Sequence, residues 1–201
     1  MTQWTVGAES DDKHAMVGDA DYSDMVNEVR YGRVASKGDL RYQNVFRFDL
    51  GSVNPGETFS AATVNTTVNF SYRTDPCVYT VKAVNDGDAP TPTTRHIESD
   101  CRAVSAQWQQ NAMDGELSTS DDISAVLNDW LTIATGGKHV VLVCFPPDPC
   151  EFGVGAFHSY ASPDKRPYID GTLVSAGGGQ RRVRLFPVMG KADVVNWVRE
   201  E

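Results

Sequence analysis

The amino-acid sequence predicts an all-β fold, an antiparallel β-sandwich with one short α-helix. Three observations favour this fold class. Apolar and polar residues alternate along most of the chain, as they do in strands with one buried face. Gly, Pro, Asn and Asp residues that form turns recur between these stretches. Only one segment has the apolar spacing of a helix.

Two apolar alternations, at residues 4–8 and 29–34, predict short strands near the start of the chain. An acidic stretch separates them and is expected to form a loop. Its carboxylates at Asp19, Asp21 and Asp24 are oxygen ligands of the type that calcium prefers. The ordered calcium-binding loop that ends in a bidentate glutamate is absent from the sequence, so a solvated acidic loop is the alternative to a structural calcium site.

The clearest alternation runs through residues 43–70 and predicts two strands that form a hairpin around the turn at residues 54–56. On the first strand Val45, Arg47 and Asp49 are expected to face away from the core. The expected buried positions of the two strands are Phe46, Phe48, Leu50, Ala62, Val64, Thr66, Val68 and Phe70.

Further strands are expected at residues 77–84 and 104–108. Between them, the polar excursion (residues 85–100) is rich in Asp and Pro and is expected to leave the sheet edge. The helix follows, because Ile123, Val126, Leu127, Trp130 and Leu131 recur at intervals of three and four. Its expected N-cap is Ser120 or Asp121, and Gly136–Gly137 is expected to end it after about three turns.

The remaining sequence predicts three strands and then a basic segment. The apolar run at residues 139–145 is typical of a central strand buried on both faces. Residues 152–162 and 166–175 predict a final strand pair, and three consecutive glycines at 177–179 predict a hinge. We therefore divide the chain into a sandwich domain, residues 1–175 with 1–24 partly loop, and a C-terminal arm, residues 176–201.

The C-terminal arm holds the one basic cluster of an acidic chain. The chain has 18 basic and 27 acidic side chains, a net charge of −9. Such a surface repels phosphate backbones, which argues against nucleic-acid binding. We expect the arm to add to the sheet edge of a neighbouring subunit; two further strands of the same domain are the alternative. The expected contact residues of the arm are Arg181, Arg182, Arg184, Phe186, Lys191 and Trp197.

The four cysteines permit three disulfide pairings. A Cys144–Cys150 bond would close a short loop, and a Cys77–Cys101 bond would then tie down the polar excursion. Reduced thiols are the alternative, because the start of the chain lacks a secretion signal and predicts a protein that is made and kept in a cytoplasm. No C-x-x-C spacing indicates zinc, and no apolar run of about 18 residues indicates a membrane span.

Catalytic motifs are absent from the sequence. It contains no G-x-S-x-G elbow, no H-E-x-x-H helix, no P-loop and no G-x-G-x-x-G fingerprint, and its four histidines are scattered through different segments. Among 27 acidic residues, no two stand out as an acid–base pair. We therefore predict that the protein is not an enzyme.

Three stretches of the chain resemble the DNRLRE-type domains, which are jelly-roll modules similar in fold to carbohydrate-binding modules. "VFRFDLGSVNPGETFSAATVN" is similar to their first core hairpin, "DISAVLNDWL" to their helix, and "FHSYASPDKRPYIDGTLV" to their closing strands. Together these stretches span residues 25–175. The sequence departs from the family at Tyr160–Ala161, where an Arg-Glu pair often follows the serine, and in the arm. The resemblance implies a jelly-roll fold and no particular activity.

Domains of this family occur in polysaccharide-associated proteins and among the virion proteins of tailed bacteriophages. The expected cytoplasmic synthesis, the missing catalytic motifs and the C-terminal arm together favour a capsid decoration or cement protein of such a phage, made in the host cytoplasm and located on the capsid surface. Its partners would be the major capsid protein or other virion subunits, and further copies of itself in a homo-oligomer. The alternative is a carbohydrate-binding module that holds polysaccharide on aromatic side chains of the sheet, and the third hypothesis is an accessory domain of a polysaccharide-acting enzyme. The aromatic candidates are Tyr22, Tyr31, Tyr42, Tyr72, Tyr79, Trp108, Tyr160 and Tyr168.

Overall fold

The computed structural model describes residues 3–8, 28–34, 40–71, 77–89, 96–145, 153–158, 163–165, 167–185 and 197–199. These residues form twelve strands and one α-helix. The strands are β1 Gln3–Ala8, β2 Glu28–Val34, β3 Leu40–Asp49, β4 Thr58–Ser71, β5 Cys77–Val84, β6 Cys101–Gln110, β7 Leu117–Thr119, β8 His139–Phe145, β9 Gly153–His158, β10 Tyr168–Val174, β11 Gln180–Leu185 and β12 Trp197–Arg199. The helix, α1, spans Ser124–Leu131.

All described strand pairs are antiparallel, and the long strand β4 belongs to both layers of the fold. The strands follow the order β12-β11-β10-β4-β9-β2-β3-β8-β5-β6, with β1 on β3 and β7 on β4. The first part of β4 pairs with β10 and β7, whereas its last residues pair with β9 after a register shift between Val68 and Phe70. The predicted antiparallel β-sandwich with one short helix is confirmed.

The main core lies between the two layers and is closed by α1, which packs against β4, β5 and β6. Aromatic rings fill its centre. The rings of Trp108 and Phe157 stack with centroids 5.4 Å apart, and Phe46 lies 6.1 Å from Trp108. Burial of such large rings supplies much of the hydrophobic free energy of a sandwich of this size. No helix in the described ranges has the length and apolar content of a membrane span.

A second apolar cluster covers the opposite face of β3 and β8. Val45, predicted to face away from the core, is 0% exposed because it packs here with Val141 and Val143. Ala89 of the polar excursion also belongs to this cluster, and its carbonyl accepts a 2.9 Å hydrogen bond from Arg47 Nε. The start of the excursion therefore lies over the sheet, and β8 is buried on both faces as predicted.

The two predicted strand pairs around short turns do not form hairpins. β3 pairs with β1, β2 and β8, whereas β4 pairs with β7, β9 and β10, so the connection at residues 50–57 crosses from one layer to the other. Likewise, β9 pairs with β2 and β4, and β10 pairs with β4 and β11. A period of two identifies the buried face of a strand but carries no information about its neighbours.

The helix is shorter than predicted, and its N-cap position is Ile123, which makes no side-chain capping bond, in place of Ser120 or Asp121. The regular α-helix ends at Leu131, and its buried side chains are Val126, Leu127 and Trp130. Asp122 Oδ1 accepts a 2.9 Å hydrogen bond from the Ser124 N–H and so satisfies a free donor of the first turn. Ser120, one of the predicted caps, instead accepts from a backbone N–H of β4.

The predicted domain boundary at residue 176 is wrong for the first part of the arm. β11 pairs with β10 along its whole length, and Val183 and Leu185 lie in the main core. The three glycines form the turn of this β10–β11 hairpin: Ser175 N–H donates to the Gly179 carbonyl at 3.0 Å, and Gly178 has a φ of +82°. A positive φ is the reason a glycine is needed there. Residues 180–185 therefore belong to the sandwich.

Candidate functional site

The outer face of β4, β10 and β11 carries polar side chains. Along β10, Ile169, Gly171 and Leu173 point into the core, so the alternating residues Asp170 and Thr172 lie on the outer face. Two rows of residues cross the three strands here. Ala61, Thr172 and Arg182 form one row, and Thr63, Asp170 and Arg184 form the other. Each row places residues of three strands within reach of one ligand.

These rows line a shallow cleft of about 190 Å³. Small residues form its floor, since Ala61 offers only a methyl group, Gly171 has no side chain, and Ala62 contributes backbone while its own methyl group lies in the core. Polar groups surround this floor: the hydroxyls of Thr63 and Thr172, the carboxylate of Asp170 and the guanidinium of Arg182. We refer to it below as the β10 cleft.

The glycine in the floor of the β10 cleft packs tightly against the core beneath it. A Cβ atom added to Gly171 would lie 3.0 Å from two ring carbons of Phe59, a buried residue of β4. Such a contact is shorter than van der Waals packing allows without movement of the ring. The close approach of β10 to Phe59 therefore disfavours any larger residue at position 171.

Arg184 is already occupied by groups of its own sheet. Its Nη2 atom lies 3.2 Å from Asp170 Oδ2, and its guanidinium carbon lies 4.4 Å from the ring centroid of Tyr168. The cation–π contact covers one face of that ring, which was a predicted sugar platform. Arg184 thus neutralises Asp170 and shields Tyr168.

Arg181 has a structural role in place of the predicted partner-binding role. Its guanidinium donates to both carboxylate oxygens of Glu57, at 2.8 and 2.5 Å, and to the Ser52 carbonyl at 2.6 Å. The hydrogen bonds from Arg181 lower the pKa of Glu57 to about 2. The ion pair links β11 to the connection between β3 and β4. The guanidinium of Arg181 is therefore not available to a partner protein.

Arg182 is the one cationic side chain, among those that the structure describes, that has no ion pair or hydrogen bond. The cations with partners are Arg47, Lys82, Arg102, Lys138, Lys165, Arg181 and Arg184. Arg182 is exposed at the rim of the β10 cleft, and the backbone of Arg199 in β12 lies directly opposite it. Among the described residues, the positive charge of Arg182 therefore has no counter-charge.

The other predicted contact residues of the arm are only partly located. The backbone of Trp197 lies opposite Arg184 at the start of β12. Phe186 and Lys191 lie outside the described residues, as do the acidic residues of the predicted calcium site, Asp19, Asp21 and Asp24. Within the described ranges, no three His, Cys, Asp or Glu side chains lie together as metal ligands would.

The predicted Cys77–Cys101 disulfide is incompatible with the fold. Cys77 lies opposite Gln110 and Cys101 opposite Val84, so the two cysteines are at opposite ends of the β5–β6 pair. At about 3.3 Å per residue, their separation exceeds roughly 20 Å, whereas a disulfide needs Cα atoms within about 7 Å.

The predicted Cys144–Cys150 bond is not formed either. Cys144 carries a free thiol, and burial raises its pKa above the ordinary value. Its predicted partner, Cys150, lies outside the described residues.

One histidine–carboxylate pair occurs in the described part of the chain. His139 Nδ1 lies 2.7 Å from Asp88 Oδ1, and Asp88 Oδ2 also accepts a hydrogen bond from the Gly137 N–H. The hydrogen bond with His139 lowers the pKa of Asp88. These bonds fasten the polar excursion to the start of β8, which accounts for the pair without a catalytic role.

No protein-family model matches the chain, and no curated protein matches its sequence. The resemblance to DNRLRE-type domains therefore stays a prediction from three short stretches of sequence.

Proposed function

We propose that this protein is a carbohydrate-binding module without catalytic activity, and that a saccharide unit occupies the β10 cleft. The observation that carries this proposal is the set of polar groups around a floor of small residues. Asp170 accepts hydrogen bonds, Arg182 donates them, and the hydroxyls of Thr63 and Thr172 do both. Sugar hydroxyls require donors and acceptors side by side, and this cleft offers both.

The proposed binding mode differs from the aromatic platform that the sequence suggests. Two of the candidate aromatics, Tyr79 and Trp108, are buried in the core. Tyr168 is adjacent to the cleft, but Arg184 covers one face of its ring. The cleft is of a size to hold about one sugar ring, so recognition would rest on hydrogen bonds from β4, β10 and β11 more than on ring stacking.

Affinity electrophoresis through gels that contain a polysaccharide tests this proposal. Ala61→Phe fills the cleft from an exposed position, and we expect it to abolish retention of the protein. Ala103→Phe makes the same change at an exposed position of β6, far from the cleft in the strand order, and should leave retention unchanged. Equal retention of the wild type and Ala61→Phe would contradict the proposal.

A capsid decoration protein of a tailed bacteriophage is the second proposed function, and one feature of the sheet edge supports it. The strand order ends at β12, a three-residue strand whose one partner among the described strands is β11. An edge of this kind can pair with a strand of another subunit through backbone hydrogen bonds. The partners proposed from the sequence are the major capsid protein, other virion subunits or further copies of this chain.

Truncation after Leu185 tests the decoration function, because it removes β12 and keeps β11 in the core. We expect the truncated protein to lose co-sedimentation with capsids and to fall to a lower oligomeric state in light scattering. The Arg182→Gln variant of the full chain controls for simple charge attraction to the capsid. Unchanged capsid occupancy after truncation would contradict the role of this edge.

A further inference from the structure

The β10 cleft has uncompensated positive charge on one side. In one of its two rows, Arg184 and Asp170 neutralise each other at 3.2 Å. In the other row, the neighbours of Arg182 are the uncharged residues Ala61 and Thr172. The residue opposite Arg182 on its other side is Arg199, so no carboxylate is placed in register with it.

We propose that the β10 cleft binds an acidic saccharide, and that Arg182 contacts the carboxylate or sulfate group of that sugar. This inference rests on the proposed function, in which a sugar occupies the cleft. A guanidinium presents two parallel N–H donors that match the two oxygens of a carboxylate or sulfate. Hydrogen bonds with charge on both partners are roughly twice as strong as those between neutral groups.

The remaining polar groups of the cleft fit the uncharged part of the same ligand. Thr63 and Thr172 offer hydroxyls to the sugar ring, and Asp170 accepts from a ring hydroxyl. The ion pair with Arg184 offsets the negative charge of Asp170 and so limits its repulsion of an anionic ligand. One side of the cleft therefore suits the anionic group, and the other suits sugar hydroxyls.

The acidity of the whole protein does not prevent such binding. The net charge is −9, but exposed charges further than about 8 Å away are largely screened at physiological salt. Arg182 would touch the anionic group directly and is screened much less. The surface of an acidic partner protein is the other possible source of a carboxylate for Arg182. The cleft has a volume of about 190 Å³ and is lined by three strands, which suits a compact ligand such as one sugar residue.

Binding of defined polymers to the full chain tests this inference. The probes are polygalacturonate and dextran sulfate as acidic glycans, dextran as a neutral glycan, and polyglutamate as an acidic polymer without sugar. We expect Arg182→Gln to weaken binding to the two acidic glycans by about tenfold or more. Dextran binding should fall far less, because the glutamine amide can still donate a hydrogen bond to a neutral sugar hydroxyl. Arg182→Lys should restore part of the affinity. Lys165→Gln, which removes the same charge from an exposed turn, should have little effect.

Four outcomes of this experiment are informative. Preference for acidic glycans that depends on Arg182 supports the inference. Equal binding of dextran by the wild type and Arg182→Gln, without preference for acidic glycans, overturns it and leaves the proposed function standing. Binding of polyglutamate as tight as that of polygalacturonate also overturns it, because the cleft would then recognise charge alone. Absence of binding to every glycan overturns both the inference and the proposed function.

Discussion

The ion pair between Glu57 and Arg181 makes a quantitative prediction for Glu57→Gln. The Glu57 side chain is 9% exposed, and its pKa falls from an ordinary value of 4.5 to about 2. At about 1.4 kcal/mol per pKa unit, this shift corresponds to roughly 3 kcal/mol of stability at pH 7. Removal of the charge also leaves the partly buried Arg181 without its counter-charge, which adds to the cost. We expect Glu57→Gln to lower the free energy of unfolding by about 2–3 kcal/mol at pH 7.

The same pair predicts how that difference changes with pH. Because the pKa of Glu57 is lower in the folded state, its contribution is complete above pH 4.5 and is lost as the pH falls towards about 2. Urea denaturation at pH 7, 4 and 2.5 measures the difference between wild type and variant. We expect it to shrink steadily over this series. A difference that is constant from pH 7 to 2.5, or below about 1 kcal/mol at pH 7, would refute the assignment.

An exposed ion pair of the same chain provides the control. Lys82 Nζ lies 2.8 Å from Glu98 Oε2, a distance similar to that of the Glu57 pair, but the Glu98 side chain is 66% exposed. Exposed pairs contribute little because water and salt screen them. We expect Glu98→Gln to change the free energy of unfolding by less than about 0.5 kcal/mol at pH 7.

Three further predictions concern the core and the loops. Thr66→Val should leave the free energy of unfolding unchanged or raise it by about 1 kcal/mol, since the buried Thr66 hydroxyl has no hydrogen-bond partner in the part of the chain that the structure describes. Ser120→Ala removes a buried acceptor of a backbone N–H and should lower the free energy of unfolding by about 1–2 kcal/mol in the same urea titration. Gly87→Ala should lower the free energy of unfolding by about 2 kcal/mol or more, because the added Cβ would lie 1.9 Å from the Ile133 carbonyl oxygen. Gly177→Ala is the control, since the nearest atom to its added Cβ is 3.9 Å away. Equal losses in the two variants would show that the polar excursion does not pack against the end of α1 as described. Cys144 is 1% exposed and should resist alkylation in the native protein at pH 8 but react fully in urea, as peptide mass spectrometry would measure; rapid native labelling would place it outside the core.

Several elements of the fold could be predicted from the sequence because their signals are local. The strands at residues 77–84 and 139–145 match β5 and β8, since their apolar patterns depend only on which faces are buried. The buried stripe of α1 was predicted for the same reason.

Strand pairing could not be predicted from the sequence, because partners far apart in the chain compete with nearby ones. β4 pairs with β10 across more than a hundred residues, in preference to the adjacent β3. A two-residue period is satisfied equally well by any neighbour that covers the same face. The predicted hairpins were wrong for this reason, and the three glycines predicted as a hinge proved to be the turn of a true hairpin, β10–β11.

In the candidate site too, some features could be predicted from the sequence and others depended on the tertiary structure. The sequence by itself identified a basic cluster in an acidic chain, since charge counts need no coordinates. It could not separate the roles of three neighbouring arginines. Only the tertiary structure decided that Arg181 faces Glu57, that Arg184 faces Asp170 and that Arg182 has no ion-pair partner among the described residues. The physical reason is that an ion pair depends on the distance between side chains from separate strands, and that distance is fixed by the register of the sheet.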